Sequence, residues 1–90
     1  MLFRSVFSVS AGGIPGSVDL RAESVVRGSH EWQYSADAAN ANGWIEIDPT
    51  VQASASISGL GTLKRYFFRH RTVTVEGPTE WDEPISILVV

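Results

Sequence analysis

The chain has no cysteine among its 90 residues, so neither a disulfide nor a thiolate-bound metal can hold it together. It has no apolar run approaching the roughly 20 residues of a membrane span. The opening segment, MLFRSVFSVSA, is interrupted by Ser5, Ser8 and Ser10, whereas a secretory signal needs about 7–15 unbroken apolar residues. No signal peptide is therefore expected there. Positive charge is scarce: 7 Lys and Arg against 10 Asp and Glu leave a net charge of −3, a poor footprint for nucleic acid, which calls for a basic face. No stretch keeps an apolar i, i+3, i+4, i+7 stripe, so no helix longer than a turn is expected. The motifs of common catalysts are absent too: no nucleophile elbow, no phosphate-cradling glycine loop, no His-Glu-x-x-His. A chain this short supports one core, and residues 1–90 are read as a single domain.

What the chain does have is alternation. Turn residues punctuate it every 8–12 positions, the spacing of an all-β sandwich or barrel. Phe7 and Val9 alternate with serines. After the loop Gly12–Gly16, Val18 and Leu20 alternate with Asp19 and Arg21 in a strand running to about Val25. Arg27, Gly28 and Ser29 turn the chain. His30, Trp32 and Tyr34 then share one face, with Glu31, Gln33 and Ser35 on the other. Ala36 to Gly43 is a polar loop with an Asn-Gly turn. Trp44 to Asp48 is a short strand expected to stop at Pro49, and Ala53 to Ser58 a strand of small residues. Lys64 to Val75 is the longest run. It sets Tyr66, Phe68, His70 and Thr72 against Arg65, Phe67, Arg69, Arg71 and Val73. Gly77-Pro78 breaks it, and Ile85, Ile87 and Val89 line the last strand. Seven such strands bury their apolar faces only as two packed sheets.

From Gly59 onward the residues carry a resemblance. Leu60 and Tyr66 stand six apart, Tyr66-Phe67-Phe68-Arg69 opens an alternating strand, and Gly77-Pro78, Trp81 and Pro84-Ile85-Ser86 follow. Upstream stand Pro15-Gly16-Ser17-Val18-Asp19-Leu20 and Glu31-Trp32-Gln33-Tyr34-Ser35. The pattern resembles the fibronectin type III family over nearly the whole chain. The resemblance implies a seven-stranded Ig-like Greek-key sandwich with antiparallel sheets A-B-E and C-C′-F-G. It also implies a tyrosine corner, in which Tyr66 buries its ring beside Leu60 and bonds a backbone group. Two departures stand out. The family's strand-B Trp, two residues after Leu20, is Ala22 here, and Trp32 is expected to fill that space as a volume-conserving exchange. Leu63-Lys64 replaces the Gly-Thr usual at the E–F corner.

Candidate site residues follow from face and type. Arg69 and Arg71 fall on the outer face of strand F. Trp81 resembles the Trp of a degenerate Trp-Ser motif that stacks between strand-F arginines in cytokine-receptor relatives. With Phe67 they form a candidate protein-binding patch, of residue types enriched at interfaces. Glu31 is expected to pair with Arg69 or Arg71. Trp44 is either a sugar platform or, as favoured, a core-edge aromatic. His30 and His70 face inward on neighbouring strands. Two imidazoles alone make a poor zinc site, so each is expected to bond a nearby polar group, and no metal or cofactor is assigned. Glu76, Glu80, Asp82 and Glu83 read as a solvated loop. Arg27-Gly28-Ser29 lacks the carboxylate of an integrin-binding tripeptide.

The resulting expectation is a non-enzymatic module, a spacer, scaffold or protein-interaction domain. The resemblance favours an extracellular or cell-surface setting in a bacterial or phage protein, with neighbouring domains as partners. The alternative is a carbohydrate-binding accessory domain using Trp44 and Trp81. The uncharged end SILVV suggests a bare edge strand open to weak dimerisation.

Overall fold

A computed structural model describes residues 7–23, 27–36 and 43–90. The opening segment up to Val6, the expected continuation of the second strand to Val25 and most of the polar loop with its Asn-Gly turn lie outside the described residues. Among the described residues eight strands run in chain order: β1 (Phe7–Ala11), β2 (Val18–Ala22), β3 (Ser29–Ser35), β4 (Ile45–Thr50), β5 (Ser54–Ile57), β6 (Lys64–Thr74), β7 (Gly77–Pro78) and β8 (Ile85–Val89). One sheet has the order β1-β2-β5. The other has β4-β3-β6, with β7 and β8 both paired to β6. Every pairing is antiparallel. These are the A-B-E and C′-C-F-G sheets of the Ig-like sandwich. The count is eight rather than seven because the last edge is split. Gly77-Pro78 folds back on Val73 and Thr74 as a two-residue strand, and β8 pairs farther down with Lys64–Phe68. The left-handed φ of Gly77, 106°, accommodates that tight return.

The period-two pattern sorts residues between the faces. Phe7, Val18 and Leu20 from one sheet meet Trp32, Tyr66, Phe68 and Val89 from the other in the core, with Leu60 closing it. Val9, Ala22, Ala55 and Ile57 line its margin from the first sheet, and Tyr34, Ile47, Ile85 and Ile87 from the second. Each fully buried large side chain contributes about 1.5–3 kcal/mol over exposure. Trp32 is 1% exposed, and Ala22 lies at the core margin opposite Phe7 in the β1–β2 register. Trp32 packs at a tilt of 48° against His70, ring centres 4.6 Å apart, and Phe7 meets His70 from the opposite sheet at 5.7 Å.

Pro49 does not stop its strand. β4 continues to Thr50, and the register against β3 shifts between His30↔Thr50 and Trp32↔Ile47. The extra residue makes a bulge on an edge strand, where a residue without an N–H costs no ladder bond. The bulge also brings the Thr50 hydroxyl to the Trp32 indole N–H, 3.0 Å away.

The corner between β5 and β6 joins three segments. Tyr66 is buried, and its hydroxyl accepts the Gly61 N–H at 3.0 Å. The Gly16 carbonyl accepts the Leu60 N–H, while the Gly16 N–H donates to the Val90 carbonyl, both at 2.9 Å. Gly16 has φ of 77°, and a β-carbon there would stand 2.7 Å from the Leu60 carbonyl oxygen. The Leu63 replacement has a conformational consequence. Its φ is 58°, the left-handed region that glycine enters freely and leucine does not.

Candidate functional site

The outer face of the larger sheet carries the candidate binding residues. Adjacent β3 and β6 pair Glu31 with Arg71 and Gln33 with Arg69. Residues two apart on a strand share a face about 7 Å apart, which leaves room for one aromatic ring between two guanidinium groups. Trp81 takes that space: the guanidinium carbons of Arg69 and Arg71 each lie 4.3 Å from its ring centre. Trp44, just before β4, adds a further rung, with Arg69 4.4 Å from its ring. The order is thus Trp44, Arg69, Trp81, Arg71. Trp44 is an outer-face aromatic and not a core-edge one, because its position immediately before Ile45 gives it the parity of Glu46, away from the core.

The polar neighbours of the two arginines differ. Arg71 Nε donates to Glu31 Oε1 at 2.6 Å, an ion pair between half-buried groups. Arg69 Nε and one Nη donate to the same oxygen of Gln33, at 2.8 and 2.6 Å. Glu31 therefore neutralises Arg71, and Arg69 has a neutral amide instead. Burial, and next the Arg71 charge, hold the Arg69 guanidinium below its ordinary pKa. Phe67 is half-buried on the same face, opposite Ser86 on β8. The five residues are assembled from three places in the chain: Trp44, then Phe67, Arg69 and Arg71, then Trp81.

On the inner face of the same strands lies a second polar constellation. His30 Nδ1 and His70 Nε2 are 2.8 Å apart, and His70 Nδ1 is 2.8 Å from Asp82 Oδ2. The histidines are 0% and 1% exposed. The expectation that each would bond a nearby polar group is met by each other and by Asp82. Asp82 is accordingly not part of a solvated loop. Its backbone N–H donates to the His70 carbonyl at 2.8 Å, and its carboxylate turns inward. Trp81 and Asp82 are consecutive, so their side chains leave the backbone on opposite sides. One enters the outer ladder and the other reaches the buried histidines. Neither this clip nor the Gln33–Arg69 pair was read from the sequence, because both depend on the strand register.

Desolvation, and next the neighbouring His70, lowers the pKa of His30. Its Nε2 has no hydrogen-bond partner among the described residues. Both ring nitrogens of His70 are engaged, so the pair does not present two free lone pairs to one cation. The described residues hold no group of three or more His, Cys, Asp or Glu able to bind a metal. No described helix is long and apolar enough to cross a membrane.

Comparison with known proteins falls on the fold. No protein-family model and no curated protein matches the chain significantly. Solved structures do. A fibronectin type III-like protein from Clostridium thermocellum superposes with a TM-score of 0.75 at 12% identity, over 90% of this chain and 84% of that one. A human fourth fibronectin type III domain gives 0.75 at 13%, over 94% and 74%. The twitchin kinase region of C. elegans gives 0.69 at 19%, where the match covers 84% of this chain but 14% of the other. The chain has a fibronectin type III fold.

Proposed function

We propose that the protein is a non-catalytic interaction module that contacts a partner protein through the outer face of the β4-β3-β6-β8 sheet. The observation carrying this reading is the Trp44–Arg69–Trp81–Arg71 ladder, held rigid by Gln33 and Glu31 and flanked by Phe67. It concentrates on one face the aromatic and Arg side chains that dominate binding energy at interfaces, already ordered before any partner arrives. The buried Asp82–His70–His30 chain has the residue types of a proton relay. Its free end, His30 Nε2, is sealed inside the sandwich, which favours a packing role. A sugar platform needs a bare aromatic face. Trp81 lies between two guanidinium groups, which cover both its faces, and this favours a protein partner over a glycan there. The twitchin match, in which the equivalent unit is a small part of a longer chain, supports neighbouring domains as one class of partner.

Site-specific photo-crosslinking tests the reading. A photoreactive phenylalanine analogue at Phe67 is compared with one at Ser8, exposed on β1 of the other sheet, in the protein's native source. A discrete crosslinked partner from position 67 alone is expected, lost on Trp81→Ala. Equal labelling from both positions, or none from 67, would overturn it.

A further inference from the structure

We infer that the outer ladder is an anion-recognition surface whose partner is an acidic peptide segment, with a carboxylate seated on Arg69. The inference rests on the interaction reading above and deepens it. Its basis is a charge imbalance built into an ordered site. Two guanidinium groups flank a single indole, and the one described carboxylate paired with either of them, Glu31, bonds Arg71. Arg69 lies between two rings with Gln33 as its polar partner among the described residues, and no described carboxylate is ion-paired with it. Gln33 occupies the Nε and one Nη of Arg69, leaving N–H groups on the outward edge of the fork. A guanidinium donates through five N–H bonds in one plane, and that plane is fixed here by stacking on both sides.

The local energetics favour an incoming anion. Burial and the like charge of Arg71 both work against the Arg69 cation. A carboxylate at its open edge would offset both by its opposite charge, and its hydrogen bonds would be charge-assisted in a partly desolvated setting. Arg65 extends the cationic line on the same face, its guanidinium held by Ser86 Oγ at 3.1 Å. Arg65, Arg69 and Arg71 follow one face of β6 with Phe67 between the first two, so an extended segment with acidic residues at i, i+4 and i+6 and an apolar residue at i+2 matches their spacing. Phe67 within that line, and Leu88 opposite Arg65 on β8, offer apolar contact between the charges. The chain as a whole is acidic, at −3, so this cationic stripe is a local exception and would orient an acidic partner. A bare phosphate shares the charge but not the alternating apolar contacts, and a peptide is the occupant the face fits.

Two capped peptides distinguish these outcomes, one with Glu at i, i+4 and i+6 and Phe at i+2 on the same face, the other its Gln counterpart, with inorganic phosphate as a third probe. Binding to the full chain is followed by NMR at the Trp indole and Arg69 Nε–H resonances. The Glu peptide should give saturable shifts at Trp44, Trp81 and Arg69. Its affinity should exceed that of the Gln peptide by about tenfold, the worth of one charge-assisted bond, and should fall as salt rises from about 0.05 to 0.5 M. Arg69→Gln, with retained spectral dispersion, should lose that preference. Equal binding of both peptides, or no saturable shift by about 10 mM, would overturn the acidic specificity. Saturation by phosphate at equal or lower concentration would overturn the peptide assignment. A crosslink from Phe67 alongside either failure would leave the interaction face standing and remove only its charge preference.

Discussion

The two faces of the β3–β6 pair carry the same kind of arrangement in opposite environments. Inside, His30 stacks on both Trp32 and His70, and the histidines pass a hydrogen-bond chain to Asp82. Outside, Trp44, Arg69, Trp81 and Arg71 stack in turn, with Gln33 and Glu31 as partners. Residues one position apart on the same strands supply both. Solvent decides the chemistry. The dry face takes imidazoles, which can be neutral and still bond. The wet face takes guanidinium groups, which stay charged and keep donors free. A stack on the dry face is bound to folding, whereas one on the wet face is available to a partner.

Experiments that break the inner face should therefore cost more than those that break the outer one. Trp32→Ala removes a fully buried indole and its bond to Thr50, and should cost about 3–5 kcal/mol in denaturant unfolding. A loss under about 1 kcal/mol would mean that Trp32 is not the pillar of the core. Acid should produce a smaller, graded loss through one buried imidazole. The folded pKa of His30 is lowered from 6.5, so below that value the unfolded chain binds a proton that the folded chain refuses. Its contribution to stability is whole above pH 6.5 and falls as the pH drops toward the lowered value. His30→Leu should flatten that slope, and an unchanged slope would assign the acid sensitivity elsewhere.

On the outer face, Trp81→Ala removes two cation–π stacks and should cost about 1–2 kcal/mol. A cost matching that of Trp32→Ala would erase the distinction between the faces. Tyr66→Phe strands the Gly61 N–H and should cost about 1 kcal/mol, readable as a lower melting temperature. The smallest effect has the opposite sign. Leu63 is exposed and held at positive φ, so Leu63→Gly should stabilise by about 0.5–1 kcal/mol. Destabilisation would show that the leucine side chain contributes something the corner needs.

Much of this organisation could be read from residue order. Alternation at His30–Trp32–Tyr34 and Tyr66–Phe68–His70 separates the faces before any pairing is known, and Leu60 with Tyr66 marks the corner. The arginines were legible as an outer pair for the same reason, and Trp81 beside them through its resemblance to the stacking Trp of a degenerate Trp-Ser motif. Three features were not. Pro49 read as a stop because a proline ends a paired strand, and only its edge position with a bulge lets β4 continue. Trp44 read as a core-edge aromatic because nothing local says which side of a strand entrance it takes. Asp82 read as one more loop carboxylate because its partner lies 12 residues back on β6.

What the sequence by itself determined is the class of fold and the sorting of side chains, since period-two alternation and turn residues act locally and leave one way to bury the apolar faces. What only the tertiary structure decided is who meets whom. The neutral partner of Arg69, the rung that Trp44 adds to the ladder and the inward turn of Asp82 all depend on strand register and on a clip between distant segments. Those are long-range contacts, and their energies exist only once the sheets have closed.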